Sequence, residues 1–230
     1  MNTETIKKLN AINKAFYATT ATDFDATRGQ PWPGWVTLSE RLPDKLSVLD
    51  VGCGNGRFGV FLAQTHDITY TGMDNNAQLL TYARDALPTA TLQERDVVLS
   101  PPDVGEYDLV VAFGLLHHIP DWDNRQQFVA ALAARVVPGG WLAFACWRFY
   151  EFPRFQRRVV AWPPEPEYAV EHNDYLLDWR RGERALRYCH YVDDAEQTAL
   201  EAATGLEHIE TYRADGFTGT VNAYSVLRRV

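Results

Sequence analysis

Cysteine is scarce in this chain of 230 residues, and the three present, Cys53, Cys146 and Cys189, lie far apart. An odd count at such spacing argues against a disulfide framework or a zinc cluster, and no metal site is expected. Lysine is also sparse: its four occurrences, at 7, 8, 14 and 45, all precede residue 46. No apolar run approaches membrane-spanning length, which excludes an ordinary transmembrane helix. The start, Met1 to Lys8, has no apolar stretch of the secretory kind. A reducing cytoplasmic compartment, away from any membrane, is the simple expectation. Internal repeats and low-complexity tracts are lacking too. Positive charge is in deficit, with 22 basic against 30 acidic residues and a net charge of −8. That balance is awkward for a nucleic-acid enzyme, since phosphate contacts need a basic face.

What is present reads as one folded domain. The chain is 46% apolar and 23% charged, an ordinary balance for a globular core of this length. Apolar periodicity predicts helix over 3–17, an irregular segment over 20–35, and a helix to about Leu42. Strands at 46–52, 67–73, 90–95, 107–113 and 141–147 then alternate with helices at 56–65, 76–86 and 123–136. Asp123 and Gly139-Gly140 are start and stop signals for the last of these helices. Such alternation implies a parallel sheet covered by helices on both faces. Residues 148–192 are rich in proline and aromatics and poorly periodic, which predicts an insertion over the open end of the sheet. A helix at 193–204 and strands near 206–213 and 221–229 complete the chain, the last two as an antiparallel hairpin.

The most informative stretch is Val48-Leu49-Asp50-Val51-Gly52-Cys53-Gly54-Asn55-Gly56-Arg57. An apolar strand here breaks into alternating glycines before a helix, which exposes backbone N–H groups to a nucleotide-like ligand. Gly54, Gly56 and Gly59 also spell the dinucleotide pattern G-x-G-x-x-G, with Asp74 about twenty residues on. Asp50 inside the strand, a second acid at Asp96, and two terminal strands instead of a substrate domain point away from a nicotinamide enzyme.

The ordered series D-V-G-C-G-N-G-R, Y-T-G-M-D (70–74), Q-E-R-D (93–96), Y-D-L-V-V-A-F-G-L-L-H-H (107–118) and V-V-P-G-G-W-L (136–142) resembles the class I S-adenosylmethionine-dependent methyltransferases. The resemblance implies a Rossmann-like α/β fold whose seven-stranded sheet has an antiparallel C-terminal strand. It divides the chain into an N-terminal helical segment (1–45), a cofactor-binding core (46–147), a substrate-side insertion (148–192) and a C-terminal helix and hairpin (193–230). It implies S-adenosyl-L-methionine as cofactor. Gly52, Gly54 and Gly56 would carry its amino-acid part, with Asp50 meeting the ammonium or orienting the turn. Asp74, beside Asn75, would accept the ribose hydroxyls. Asp96 and Val97 would meet the adenine, and Phe113 and Gly114 would wall the methyl group. His117 is a candidate to touch the acceptor.

A narrower resemblance lies outside these motifs. Phe24-Asp25-x-Thr27-Arg28 with Pro31-Trp32-Pro33, Asn173 to Trp179, Arg187-Tyr188-Cys189-His190, Asp215-Gly216 and Asn222-x-Tyr224 are similar to the tRNA wobble-uridine carboxymethyl methyltransferases. The chain departs from that pattern at Asn173, Asp178 and Cys189. The resemblance implies esterification of the carboxylate of a modified uridine in tRNA. It also names a small activator protein as a conceivable partner. A carboxylate is already an anion and needs positioning, not a base. Arginine's planar fork suits it, and Arg28, Arg148, Arg184 and Arg187 are the candidates. Tyr188 and His190 would shape the same pocket. Two readings stay open beside this one: a methyltransferase for a small carboxylate or phenol, and a cofactor-binding partner subunit without turnover.

Overall fold

The computed structural model describes residues 1–26, 30–163, 168–179 and 185–230. Its centre is a seven-stranded sheet of order β3-β2-β1-β4-β5-β10-β9. The strands are β1 (Lys45–Val51), β2 (Asp67–Asp74), β3 (Thr91–Glu94), β4 (Tyr107–Phe113), β5 (Val136–Trp147), β9 (Glu207–Ala214) and β10 (Asn222–Arg228). The first five run parallel, and β10 pairs antiparallel with both β5 and β9. The chain winds outward in both directions from β1 and β4. Their carboxyl ends therefore diverge and open a crevice where ligands bind in such sheets.

Strand alternation builds the two cores. Val110 and Ala112 of β4 face one side with Leu49, Val51, Phe128, Leu132 and Phe144. Leu109, Val111 and Phe113 face the other with Val48, Trp35, Phe58 and Tyr224. The helices covering the sheet are α1 (Thr3–Ala26), α2 (Pro33–Ser39), α3 (Arg57–Leu62), α4 (Ala77–Ala86), α5 (Trp122–Ala133) and α7 (Asp194–Ala203), with the short α6 (Pro153–Gln156) in the insertion. Each start has a local cause. Asn76 caps α4 by accepting the Leu79 N–H at 3.0 Å, and Asp193 caps α7 by accepting that of Glu196 at 2.9 Å. Asp121, not Asp123, caps α5. That helix ends at Ala133, and Gly139-Gly140 lie inside β5, so the strand begins five residues before the predicted start.

Two other expectations change. The segment after residue 20 is not irregular, because α1 continues to Ala26. The insertion is not merely irregular either. It contains a three-stranded sheet in which β7 (Asp174–Trp179) pairs antiparallel with β6 (Val159–Val160) and β8 (Ala185–His190). The two ends of the chain meet at Asp215, which accepts bonds from the Gly34 N–H, Asn222 Nδ2 and the Tyr224 hydroxyl. A Cβ on Gly34 would run into the Tyr224 ring, so only glycine allows this approach. Among the described residues no helix is long and apolar enough to cross a membrane.

Candidate functional site

The turn after β1 is held by its own backbone. The Gly52 and Cys53 N–H groups both donate to the Met73 carbonyl, and Gly52, Gly54 and Gly56 have φ of 78°, 55° and 74°. Side chains rarely adopt that region, which explains the glycines. Asp74 braces the turn from β2: Oδ2 accepts the Gly54 N–H and Oδ1 that of Asn76, each at 2.9 Å. Burial pushes the Asp74 carboxyl up, while these backbone bonds oppose the shift. Because Asn76 is the cap of α4, Asp74 keeps its remaining lone pairs for a ligand. Asp50 lies beneath, buried, accepting from the Tyr70 hydroxyl at 2.6 Å. Desolvation raises its pKa to about 7, against the lowering effect of the Tyr70 bond.

Above this turn lies a cavity of about 380 Å³. Helix α1 roofs it. Asn10 Nδ2 donates to Asp96 Oδ2 at 2.8 Å, Asn55 Nδ2 donates to Asp25 Oδ1 at 2.7 Å, and Tyr17 meets His118 Nε2 at 2.9 Å. The far wall comes from the insertion: Arg154, Phe155, Arg158, Asp178, Trp179 and Arg187. The Arg187 guanidinium lies 4.4 Å from the Trp147 ring centre and 5.4 Å from that of Phe16. Planar cation–aromatic contacts of this kind hold an arginine in place while leaving its edge open to an anion. His117 lines the cavity, its ring 4.1 Å from His118 and 5.2 Å from Trp147.

Residues 48–140 match the methyltransferase domain family. The glycine turn and the acids at the ends of β1 and β2 fall within those residues. Over these residues the chain carries a methyltransferase domain. It is 27% identical over 191 residues to the Mus musculus tRNA (carboxymethyluridine(34)-5-O)-methyltransferase ALKBH8, covering 83% of this chain but 24% of that protein. It is 33% identical over 129 residues to the trans-aconitate 2-methyltransferase of Variovorax paradoxus, covering 55% of this chain and 49% of that one. The chain thus spans less than two thirds of the length of these relatives. The solved DhpI-SAM-HEP complex superposes with a TM-score of 0.69 at 20% identity, covering 96% of this chain and 97% of that one, which shows the shared fold.

The methyltransferase domain brings most of the expected cofactor residues together. Asp50, Gly52, Gly54, Asp74, Asn75, Val97, Phe113 and Gly114 all line the cavity. Gly56 does not; it is the left-handed residue that starts α3. Asp96 is also outside the lining, drawn aside by Asn10 and Lys14. Its Oδ1 is buried without a partner, a lone pair suited to an exocyclic amine. The two carboxylates at the glycine turn fit the positive charge of an adenosyl sulfonium cofactor.

Of the residues expected at the acceptor, Arg187 and His117 line the cavity, but His190 does not. It is buried, with Nδ1 2.8 Å from Asp174 and Nε2 2.8 Å from Glu196, and it does not line the cavity. The reason is register: β7–β8 pairing sets Asp174 opposite His190 and turns both toward α5 and α7. Arg148 is likewise structural, bonded to the Val192 carbonyl, Asp194 and Gln197. The Tyr188 hydroxyl donates to Asp174 within the same buried layer. Arg28 and Arg184 lie outside the described residues. Sequence reasoning missed Asn13, Tyr17 and Trp35 as cavity residues. The first two sit one helical turn apart on α1, a spacing visible in the sequence, but nothing local showed that α1 crosses the crevice.

Proposed function

We propose that the protein transfers a methyl group to an anionic oxygen, and that the acceptor is the carboxylate of a modified wobble uridine in tRNA. The observation that carries the anionic acceptor is the division of charge within one cavity. Its glycine-turn end holds Asp50 and Asp74 with one cation, Arg57, and its insertion end holds Arg154, Arg158 and Arg187 with one acid, Asp178; Asp215 also lines the cavity. A cation suits the first end and an anion the second. When bound, S-adenosylmethionine supplies an electrophilic methyl group on a sulfonium. The chain's part is to hold the cofactor ammonium near Asp50, present Asp74 to the ribose, strip water from the acceptor, and aim its oxygen with Arg187. Such positioning accounts for rate without a general base. His118 would be a poor base, because burial and the Arg187 charge lower its pKa to about 3.

The tRNA assignment draws support from the similarity to the mouse relative, whose match extends through most of this chain. The acidic net charge favours a second reading, a small carboxylate. The test is incubation with methyl-labelled cofactor and either bulk tRNA or a metabolite extract. Nuclease-sensitive label that is released by mild base, as an ester would be, supports the first reading. Label confined to small organic acids replaces it with the second, and base-stable label overturns the carboxylate acceptor. A small activator protein belongs to the same proposal; its signature would be tRNA labelling that appears only when a cell extract is added.

A further inference from the structure

Buried polar groups in folded proteins have partners, so a buried donor without one, facing a cavity, points to a ligand. Three residues lining this cavity carry such a donor: Trp35, packed against Phe58 and Phe113 on the core side, and two beside the insertion. Asn13 on α1 is 4% exposed, and its Oδ1 accepts the Tyr188 backbone N–H at 2.9 Å. That bond fixes the amide's orientation, since the reversed group would set NH2 against N–H. Nδ2 is thereby left buried without a partner. Trp179 Nε1, at the end of β7, is also buried without a partner, and an indole N–H can only donate.

The two donors beside the insertion converge with Arg187. Trp179 meets Phe16 edge-on at 5.7 Å, one turn along α1 from Asn13. Arg187 lies over the same Phe16 ring, and its neighbour Tyr188 is the residue bonded to Asn13. The nearby ring nitrogens are already committed. His118 Nδ1 faces the Tyr188 carbonyl at 3.0 Å and must carry the hydrogen. Its Nε2 therefore accepts from the Tyr17 hydroxyl. Asp178, the one acid on this wall, is itself engaged by a neighbour.

We infer that Asn13 Nδ2, Trp179 Nε1 and Arg187 form an oxyanion-reading end of the acceptor pocket, which selects a planar carboxylate and rejects neutral or amine analogues. The inference rests on the anionic-acceptor reading above and adds the residues that decide specificity. A carboxylate offers lone pairs to all three donors. An amide or amine presents hydrogens to some of them and leaves buried donors unpaired, and such mismatches discriminate strongly.

The experiment is calorimetric titration of the full chain saturated with S-adenosylhomocysteine. The probes are 5-carboxymethyluridine, its neutral amide analogue 5-carbamoylmethyluridine, and phenylacetate. The wild-type protein should bind at least one carboxylate and should disfavour the amide by roughly tenfold or more. Asn13→Asp keeps an acceptor for the Tyr188 N–H but replaces the donor with an oxygen; Trp179→Phe keeps the ring contact but removes the N–H. Each should lose roughly tenfold or more for the carboxylate, with affinity for S-adenosylhomocysteine unchanged. Binding of phenylacetate with rejection of 5-carboxymethyluridine would uphold the oxyanion pocket and remove the uridine reading. Binding of neither carboxylate, equal binding of the amide, or a loss confined to S-adenosylhomocysteine would overturn the inference. If Asn13→Asp fails to fold, Trp179→Phe and the wild-type preference for carboxylate over amide decide it.

Discussion

At the scale of single residues, two carboxylates give the sharpest expectations. Asp74 already bonds two backbone N–H groups, so its replacement costs both the turn's brace and the proposed ribose contacts. A hydrogen bond to a charged group contributes about 1.5–3 kcal/mol. Asp74→Ala should therefore weaken S-adenosylmethionine and its demethylated product alike by about tenfold or more, and calorimetry on the folded variant measures it. Asp50 adds a pH dependence. Its folded-state pKa is raised to about 7 by burial, so without ligand it holds its proton well above the ordinary carboxylate range. The sign for folding follows: its stabilising contribution is complete below the unfolded value of 3.8 and lost as pH rises through about 7. A cationic cofactor favours the ionised form, so its binding should release a proton at pH 5.5 and tighten toward pH 7.5. Asp50→Asn should abolish that slope, and an unchanged slope would remove Asp50 from the ammonium contact. Both acids were legible in the sequence because each ends a strand beside a glycine turn. His190 was misread because its motif neighbours alternate in direction along β8: Arg187 faces the cavity and His190 the buried layer beneath.

At the scale of elements, the sheet formed by β6, β7 and β8 docks on the core through a buried polar layer. His190 bridges Asp174 and Glu196, and Arg125 of α5 donates to both Glu196 and Glu171. Burial opposes charge on His190, but the bonds to Asp174 and Glu196 outweigh it and raise its pKa above 6.5. The layer holds three acids against Arg125, so a protonated His190 lessens their repulsion. A raised folded-state value makes this stabilisation complete below the unfolded value and loses it as pH rises through the folded one. His190→Gln should thus destabilise the protein at pH 6 by about 3–5 kcal/mol, the usual cost of breaking a buried charged pair, and by less at pH 9. Denaturant titrations at the two pH values measure the difference; an equal loss at both would mean that His190 acts by packing alone. The core strands could be read from their apolar alternation. The strands of the insertion could not, because their pattern mixes Asp174, Asp178 and Arg187 with aromatics that serve two small clusters instead of one face.

At the scale of the whole molecule, the issue is how an acidic chain would meet RNA. Exposed Arg154 and half-buried Arg158 line the insertion wall of the cavity, and exposed Arg157 precedes Arg158 in the chain. Each phosphate that they neutralise should contribute about −0.7 to the log–log dependence of sub-saturating turnover on salt, so three contacts would give a slope of about −2. The pair Arg157→Ala with Arg158→Ala should flatten that slope by about 1.4 units. A flat profile on the best acceptor would turn the proposal to the small carboxylate. What the sequence by itself determined was the methyltransferase sheet, its glycine turn and the acids at the strand ends, because these depend on local periodicity and on spacing along the chain. The acceptor wall was decided only in three dimensions. Strand register turned Arg187 inward and His190 away, α1 carried Asn13 and Tyr17 over the crevice, and Asp215 joined Gly34 to Tyr224. Those contacts join residues far apart in the chain, and whether a polar atom there is satisfied or left facing a ligand depends on packing that no local pattern encodes.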